Sequence, residues 1–506
     1  MIFLIALAAL VVVQLRRDIR ITERLAPTGL WRSPIKRAGA AFMLLATVPI
    51  LFVQFSPYGG TLQLASDQSL YVHLFLSFLI SYTWYRYLTW LDTFEREPVL
   101  WESIVFVLSC GSTFLTFPLS AYLIPKLGLA LGNGLLGDWW FAFIGVGLIE
   151  ETVKLLPLLL LLLFTRQADE PFDVLLYASI SALGFAFVEN TLYLADSALN
   201  AVGGRVLYAS VAHMVFSSII AYCIVVARRS GLPWGLGALG GLLLAAAAHG
   251  FYDLWLFGGD RPAILTLLFF LGNIHLWVVM KNNLINLSPH YQQRMRPQNV
   301  MFRYRMINAL VAIFLFTYVL KFLLEGRMEA DALLRGQGST MGAMLLFLSI
   351  SFSSFRFVPG VVAPLLPQGR WWRLLLPRVD WGEDLSGRQL LLRIPENRSR
   401  SAHYMTLHQA LPLQGELIQR MELNGDSNWY LFAPQRSLPF QDRHNDALLI
   451  RPERDNDSIP EDRYILVSVL LFKTPPQLLA GPVREQDLEV VGVVHGRLRA
   501  VREPGN

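Results

Sequence analysis

Charge is what this 506-residue chain has least of: Asp, Glu, Lys and Arg make up 16% of it, against 54% hydrophobic residues. A soluble domain averages about 25% charged residues, so the scarcity excludes an ordinary soluble protein. Cysteine is nearly missing too. Cys110 and Cys223 are the two present, both inside apolar runs, which excludes a disulfide framework and a paired-thiolate metal centre. Acid is in deficit, with a net charge of +5. The surplus base sits in short loops beside apolar segments, where it sets membrane orientation; no nucleic-acid partner is expected. A cleavable leader is not expected either. The apolar run 1–13 precedes Arg16, Arg17 and Arg20, the reverse of a signal peptide's order, and reads as an uncleaved anchor with its N-terminus outside.

What the chain does have is long apolar stretches, near 39–56, 70–91, 100–124, 139–164, 174–199, 206–227, 233–257, 263–280, 306–325 and 341–358. Each approaches or exceeds the ~20 residues that cross a bilayer as a helix, the form that satisfies every backbone group internally. Basic residues crowd loops 14–38, 228–232 and 281–305 and are sparse in the alternate loops. The positive-inside rule places the basic set in the cytoplasm, as expected of a multi-pass protein of the cell (inner) membrane. After Pro367 the composition turns soluble. Short β-rich runs at 389–394, 429–432, 447–450, 464–472 and 488–494 alternate with turn residues, while 406–423 and 476–489 read less clearly and could be helical. The expected fold class is an all-α polytopic membrane protein of about 10–11 transmembrane helices with a C-terminal soluble β-rich or α+β domain. Its divisions are 1–137 (about four helices and the basic loop 14–38), a helix bundle at 138–280, a basic loop plus two further helices at 281–358, and a cytoplasmic domain at 359–506 that carries no catalytic motif and suits a regulatory or docking role toward a cytoplasmic partner.

Against this apolar background a few ionisable groups are conspicuous. Glu150, Glu151 and Lys154 lie mid-segment, where a charge costs several kcal/mol, about 2.5–3.5 on insertion scales, and is functional by default. The next segment carries Phe185, Glu189 and Asn190; then comes His213; then His249 and Asp253, which are i, i+4 and can touch across one turn. At a rise of about 1.5 Å per residue, Glu150 and Glu189 lie roughly 15–16 Å below the outer ends of their helices, His213 and His249 about 12 Å and Asp253 about 6 Å. The segments alternate in direction, so the common depth does not follow from sequence order. Taken singly, Lys154 could merely neutralise Glu150, and a lone His is more often structural. Together on four consecutive spans they define a polar site in the outer half of the membrane.

The pattern Glu150-Glu151-x-x-Lys154, Phe185-x-x-x-Glu189, His213 and His249-x-x-x-Asp253 resembles the PrsW family of intramembrane glutamic peptidases, relatives of the CAAX-type prenyl endopeptidases and bacteriocin-processing membrane proteins. The resemblance spans roughly 138–280. It implies an intramembrane endopeptidase cutting a single-pass membrane protein near its extracytoplasmic side; the anti-sigma-factor class of substrate belongs to the resemblance alone. Paired carboxylates in a low dielectric share a proton, so one can act as base and the other as acid. Glu151 is expected to activate water and its partner to protonate the leaving nitrogen, with Glu189 as a further member, Lys154 holding one carboxylate charged, and His213 and His249 stabilising the oxyanion. Asp253 would orient His249, with Phe185 and Asn190 in support. No cofactor is expected on this reading. The rival readings are a zinc hydrolase with His213, His249 and Asp253 as ligands and a proton-coupled transporter using the same carboxylates as a relay.

Overall fold

The computed structural model describes residues 11–20, 29–197, 199–257, 262, 264–288 and 299–355, and, in the C-terminal part, 362, 365, 389–393, 412–423, 426–440, 443–445, 447–452, 464–473 and 489–501. Most of the expected N-terminal anchor and of the unclear segment 476–489 lies outside them. Up to residue 355 the described residues are mainly helical: a stretch at 11–20, then α1 Pro34–Phe55, α2 Ser66–Leu91, α3 Val99–Thr113, α4 Thr116–Lys126, α5 Gly134–Trp140, a π-helix Phe141–Leu148, α6 Ile149–Phe164, α7 Pro171–Asp196, α8 Val202–Arg229, α9 Trp234–Leu254, α10 Ile264–Asn286, α11 Asn299–Glu325 and α12 Arg327–Phe352. The described parts of the ten long apolar segments expected as spans are mainly helical, but fewer than the expected 10–11 qualify as crossings.

Six of these helices are long and apolar enough to cross a membrane, and a seventh span is counted if α3 and α4, bent by 42°, form one crossing. α6 falls short alone because it is 16 residues long. It continues the π-helix and α5, so the run Gly134 to Phe164 is helical throughout. The protein is therefore a multi-pass helical membrane protein, as its composition requires.

Local chemistry fixes the rods. Ser33 caps α1, its hydroxyl accepting from the Lys36 amide at 3.3 Å, with Pro34 at the first helical position. Pro157 inside α6 has no N–H for the Val153 carbonyl. The Ser112 hydroxyl of α3 reaches that carbonyl at 3.2 Å, and the Ser181 hydroxyl of α7 donates to the next one, Lys154, at 2.6 Å. α7 is the central rod and is buried along most of its length, against α2 and α3 on one side and α8 on another. α9 crosses the π-helix at glycine distance: a Cβ on Gly250 would lie 2.7 Å from Phe143 Cα, and one on Gly147 would lie 2.4 Å from the Ala246 carbonyl oxygen. Gly237 and Gly241 bring α9 equally close to α8, whereas Gly235 and Gly240 meet nothing within 4 Å.

The C-terminal part is a closed antiparallel barrel in the order β1-β2-β3-β6-β7-β8, formed by Gln389–Arg393, Leu413–Leu423, Asp426–Pro434, Leu448–Pro452, Ile465–Lys473 and Glu489–Ala500. A hairpin of β4 Leu438–Phe440 and β5 Arg443–Asn445 forms its own two-stranded sheet, with Leu438 joining the barrel core. Within 406–423, the stretch 413–423 is strand, not helix. Leu413, Gly415 and Leu417 alternate inward with period 2, and a register shift beyond Leu417 breaks the repeat that would have identified it. The barrel interior is filled by Leu392, Leu417, Phe432, Ile450, Val469 and Leu498, among others. The His495 ring donates to the Leu287 carbonyl at the end of α10, at 3.4 Å, and Arg497 lies against Gly231 in the α8–α9 turn.

Candidate active site

Four consecutive rods deliver the site. Glu150 and Glu151 open α6 directly after the π-helix, and a second π-helical turn, Arg205–Ala209, precedes His213 on α8. Such wide turns re-aim the side chains that follow and are frequent at functional sites. Glu189 comes from α7, and His249 and Asp253 from α9.

Lys154 is the hub. Its side chain is fully buried, and Nζ lies 2.8 Å from Glu151 Oε1, 3.2 Å from Glu150 Oε2 and 2.8 Å from His213 Nδ1. It also stands 4.1 Å from the centre of the Phe185 ring, a cation–π contact strengthened by desolvation. An ammonium has only donors, so His213 Nδ1 accepts and its Nε2–H donates to Glu189 Oε2 at 2.8 Å.

The two adjacent glutamates occupy different environments. Glu151 is fully buried: Oε1 accepts from Lys154 and, at 3.0 Å, from His249 Nδ1, while Oε2 accepts from Ser217 Oγ at 3.0 Å. Glu150 keeps 18% of its side chain exposed, and its Oε2 lies 3.8 Å from His249 Nε2. About 100° of helical rotation separates neighbours, enough to put one carboxylate inside the bundle and leave its neighbour at the edge. His249 Nε2 is also 3.4 Å from Asp253 Oδ2, and Phe216 stacks on the ring at 5.1 Å. The His213 and His249 rings meet edge-on at 5.4 Å.

Each expected site residue takes part in this network. Asn190 holds Arg205: the Arg205 Nε–H donates to Asn190 Oδ1 at 2.5 Å, and Asn190 Nδ2 donates to Ser210 Oγ at 3.1 Å. Arg205 itself was not among the expected residues. It pairs with Glu189 Oε2 and lies 4.4 Å from the centre of the Tyr193 ring. One signal could have found it, namely a lone arginine in an outer loop that the positive-inside rule otherwise leaves poor in base. Ser217 was likewise given no role.

A metal has a place to be tested here. Glu150, His213 and His249 each offer a ligand atom within 4.8 Å of the other two. Two imidazoles and a carboxylate are a zinc-type donor set. Each ring also meets a carboxylate on the nitrogen turned away from the triplet, His213 Nε2 with Glu189 and His249 Nδ1 with Glu151, as metal-bound histidines do. The residues fit, on the condition that Lys154 yields the ring nitrogen it now contacts. Asp253, expected as the third ligand, is not in this triplet and lies 3.4 Å from His249 Nε2.

The fold and site together define a multi-pass helical membrane protein whose buried carboxylates and imidazoles converge from four rods. Residues 97–280 match the family model described as "PrsW family intramembrane metalloprotease". The chain is 28% identical over 193 residues to a protein named Protease PrsW from Geobacillus kaustophilus, covering 37% of this chain and 79% of that protein. It is 30% identical over 138 residues to Protease PrsW of Shouchella clausii, covering 27% and 63%. With Protease PrsW of Clostridioides difficile it shares 28% over 205 residues, covering 39% and 84%. No solved structure matches. The resemblance to the PrsW family is thus borne out, and the matched segment, which begins upstream of residue 138, is that of a membrane protease.

Proposed function

We propose that the protein is an intramembrane endopeptidase that hydrolyses a peptide bond of a single-pass membrane protein on the side away from the basic loops, with Glu150 as general base. One observation carries the assignment to Glu150. Glu151 has both carboxylate oxygens occupied by Lys154, His249 and Ser217 inside the bundle, whereas Glu150 is the partly exposed member and faces His249 Nε2.

Glu150 takes a proton from a water as the water oxygen bonds to the scissile carbonyl carbon. The His249 ring, fixed by Glu151 and Asp253, faces the developing oxyanion. The tetrahedral carbon then expels the amine nitrogen, which receives its proton from Glu150, leaving a carboxylic acid and an amine. Lys154 holds Glu150 and Glu151 in register. His213, bonded on both nitrogens, positions Lys154 and Glu189 and does not touch the substrate.

The triplet Glu150, His213 and His249 also supports a metal-bearing form. There the three side chains would hold the ion, which would supply Lewis acidity and an acidified water. Glu189 and Glu151 would orient the two imidazoles. The experiment is cleavage of a single-pass membrane substrate by purified protein, with and without chelator. Glu150→Gln is expected to lose about 10²–10⁴-fold in rate, the range of a general base. Full activity of Glu150→Gln contradicts the assignment. Chelator-sensitive activity restored by zinc selects the metal-bearing form.

A further inference from the structure

Far from this site, at the opposite end of α7, lies a second cluster of acids. Asp92 caps the C-terminus of α2 and Glu97 lies in the following turn, while Asp169, Glu170 and Asp173 belong to the loop and first turn of α7. Asp92, Glu170 and Asp173 each offer an oxygen within 4.8 Å of the other two, and so do Glu97, Asp169 and Asp173. Asp92, Glu170 and Asp173 are 4%, 3% and 0% exposed. Asp173 to Glu189 is sixteen residues of one helix, about 24 Å, so this cluster is separate from the catalytic network.

Part of the cluster is ordinary helix capping. The Glu170 amide donates to Asp173 Oδ2 at 2.7 Å, and the Glu97 amide to Asp92 Oδ2 at 2.8 Å. Tyr177 donates to Glu97 at 2.6 Å, and the Ser288 hydroxyl donates to Glu170. Capping does not account for the second oxygen of Asp173. Oδ1 is buried and meets no hydrogen-bond donor among the described residues. A carboxyl also faces Asp173 where a donor would be expected, that of Glu97. A buried carboxylate oxygen without a donor is costly, and two facing carboxyls need a shared proton or a cation between them.

We propose that the carboxylates of Asp92, Glu170 and Asp173, flanked by Glu97 and Asp169, form a binding site for a hard divalent cation. The donor chemistry sets the class. All five groups are carboxylates, with no imidazole or thiolate among them, which suits Mg²⁺, Mn²⁺ or Ca²⁺ and disfavours soft ions. The cation ties the α2–α3 turn to the start of α7, the rod that carries Glu189. It therefore braces one end of the bundle without entering the chemistry at the other.

Direct binding tests this on the full-length protein in detergent, stripped with chelator. Mn²⁺ is titrated and followed by electron paramagnetic resonance, with Mg²⁺ and Ca²⁺ as competitors. His249→Ala removes a ligand of the catalytic triplet, so binding that survives in it belongs to the acidic cluster. The expected result is one Mn²⁺ per chain in His249→Ala, weakened at least about tenfold by adding Asp173→Asn or Asp92→Asn. The melting midpoint of the His249→Ala protein is expected to rise with Mn²⁺ and to stop responding once Asp92→Asn is added. Should Asp173→Asn not fold, Asp92→Asn and Glu97→Gln carry the comparison. No saturable binding in His249→Ala, or undiminished binding in the acidic-cluster variants, overturns the site and leaves the carboxyls sharing protons.

Discussion

Replacing Lys154 by Met is the perturbation that most loads the site's electrostatics. The side chain is fully buried, and its ammonium contacts Glu151 at 2.8 Å, Glu150 at 3.2 Å and His213 at 2.8 Å. Methionine keeps the volume and removes the charge. What remains is Glu151, also fully buried, with His249 and Ser217 as its surviving donors and Glu150 beside it. Removing one partner of a buried pair costs about 3–5 kcal/mol, because the other charge is left uncompensated. At about 1.36 kcal/mol per decade that is roughly 10²–10⁴ in the unfolding equilibrium. Adding Glu151→Gln removes the stranded charge and is expected to recover a large part of the loss, by the logic of a double-mutant cycle. The assay is thermal or denaturant unfolding in detergent of Lys154→Met, Glu151→Gln and the double variant, with substrate cleavage beside it. Lys154→Met as stable as the parent, or additive effects in the double variant, would refute the claim that Lys154 holds the pair.

Three further outcomes follow from the geometry. Arg205→Met leaves Glu189 and Asn190 without their cation and is expected to lower kcat more than it raises KM, with only partial rescue by Lys, which lacks the planar fork; an unchanged kcat rules out Arg205 as a positioning residue. Gly250→Ala forces a methyl to 2.7 Å from Phe143 Cα, so the helix bearing His249 must shift away from the one bearing Glu150, at about 1–3 kcal/mol; cleavage should fall, while Gly240→Ala, with nothing within 4 Å, should behave as the parent. Ser112→Ala leaves the Val153 carbonyl over Pro157 without its donor, an expected loss of about 1–3 kcal/mol in unfolding experiments; Pro157→Ala restores an N–H beneath that carbonyl and should recover stability in the double variant.

The sequence displayed the site because charge is expensive in an apolar span. Glu150, Glu151, Lys154, Glu189, His213, His249 and Asp253 were visible as costs with no other explanation, and counting residues along alternating rods was enough to bring them to one depth. What counting could not provide is which glutamate faces outward. Glu150 and Glu151 are chemically identical, and their difference arises from packing, which gives Glu151 hydrogen bonds from Ser217 and His249 Nδ1 and leaves Glu150 partly exposed. The two π-helical turns were equally hidden, since Gly145 and Gly147 in Phe141–Leu148 read as close-packing residues and Arg205–Ala209 carries neither Gly nor Pro. Arg205 read as a loop residue because its partner, Glu189, lies on another rod. In the barrel, the β-rich runs of β1, β3, β6, β7 and the first half of β8 were legible, and the irregular register of β2 was not. The acidic cluster escaped because Asp92, Glu97 and Asp173 lie at segment ends, where charge is ordinary; their convergence depends on how α2, α3 and α7 pack.

The most direct measurement compares membrane-protein termini in cells carrying the parent chain and cells carrying Glu150→Gln at equal abundance. The account predicts new termini within or beside single transmembrane segments, on the side away from the basic loops, in the parent and not in the variant. Identical sets of termini in the two, with both proteins folded in the membrane, would contradict it.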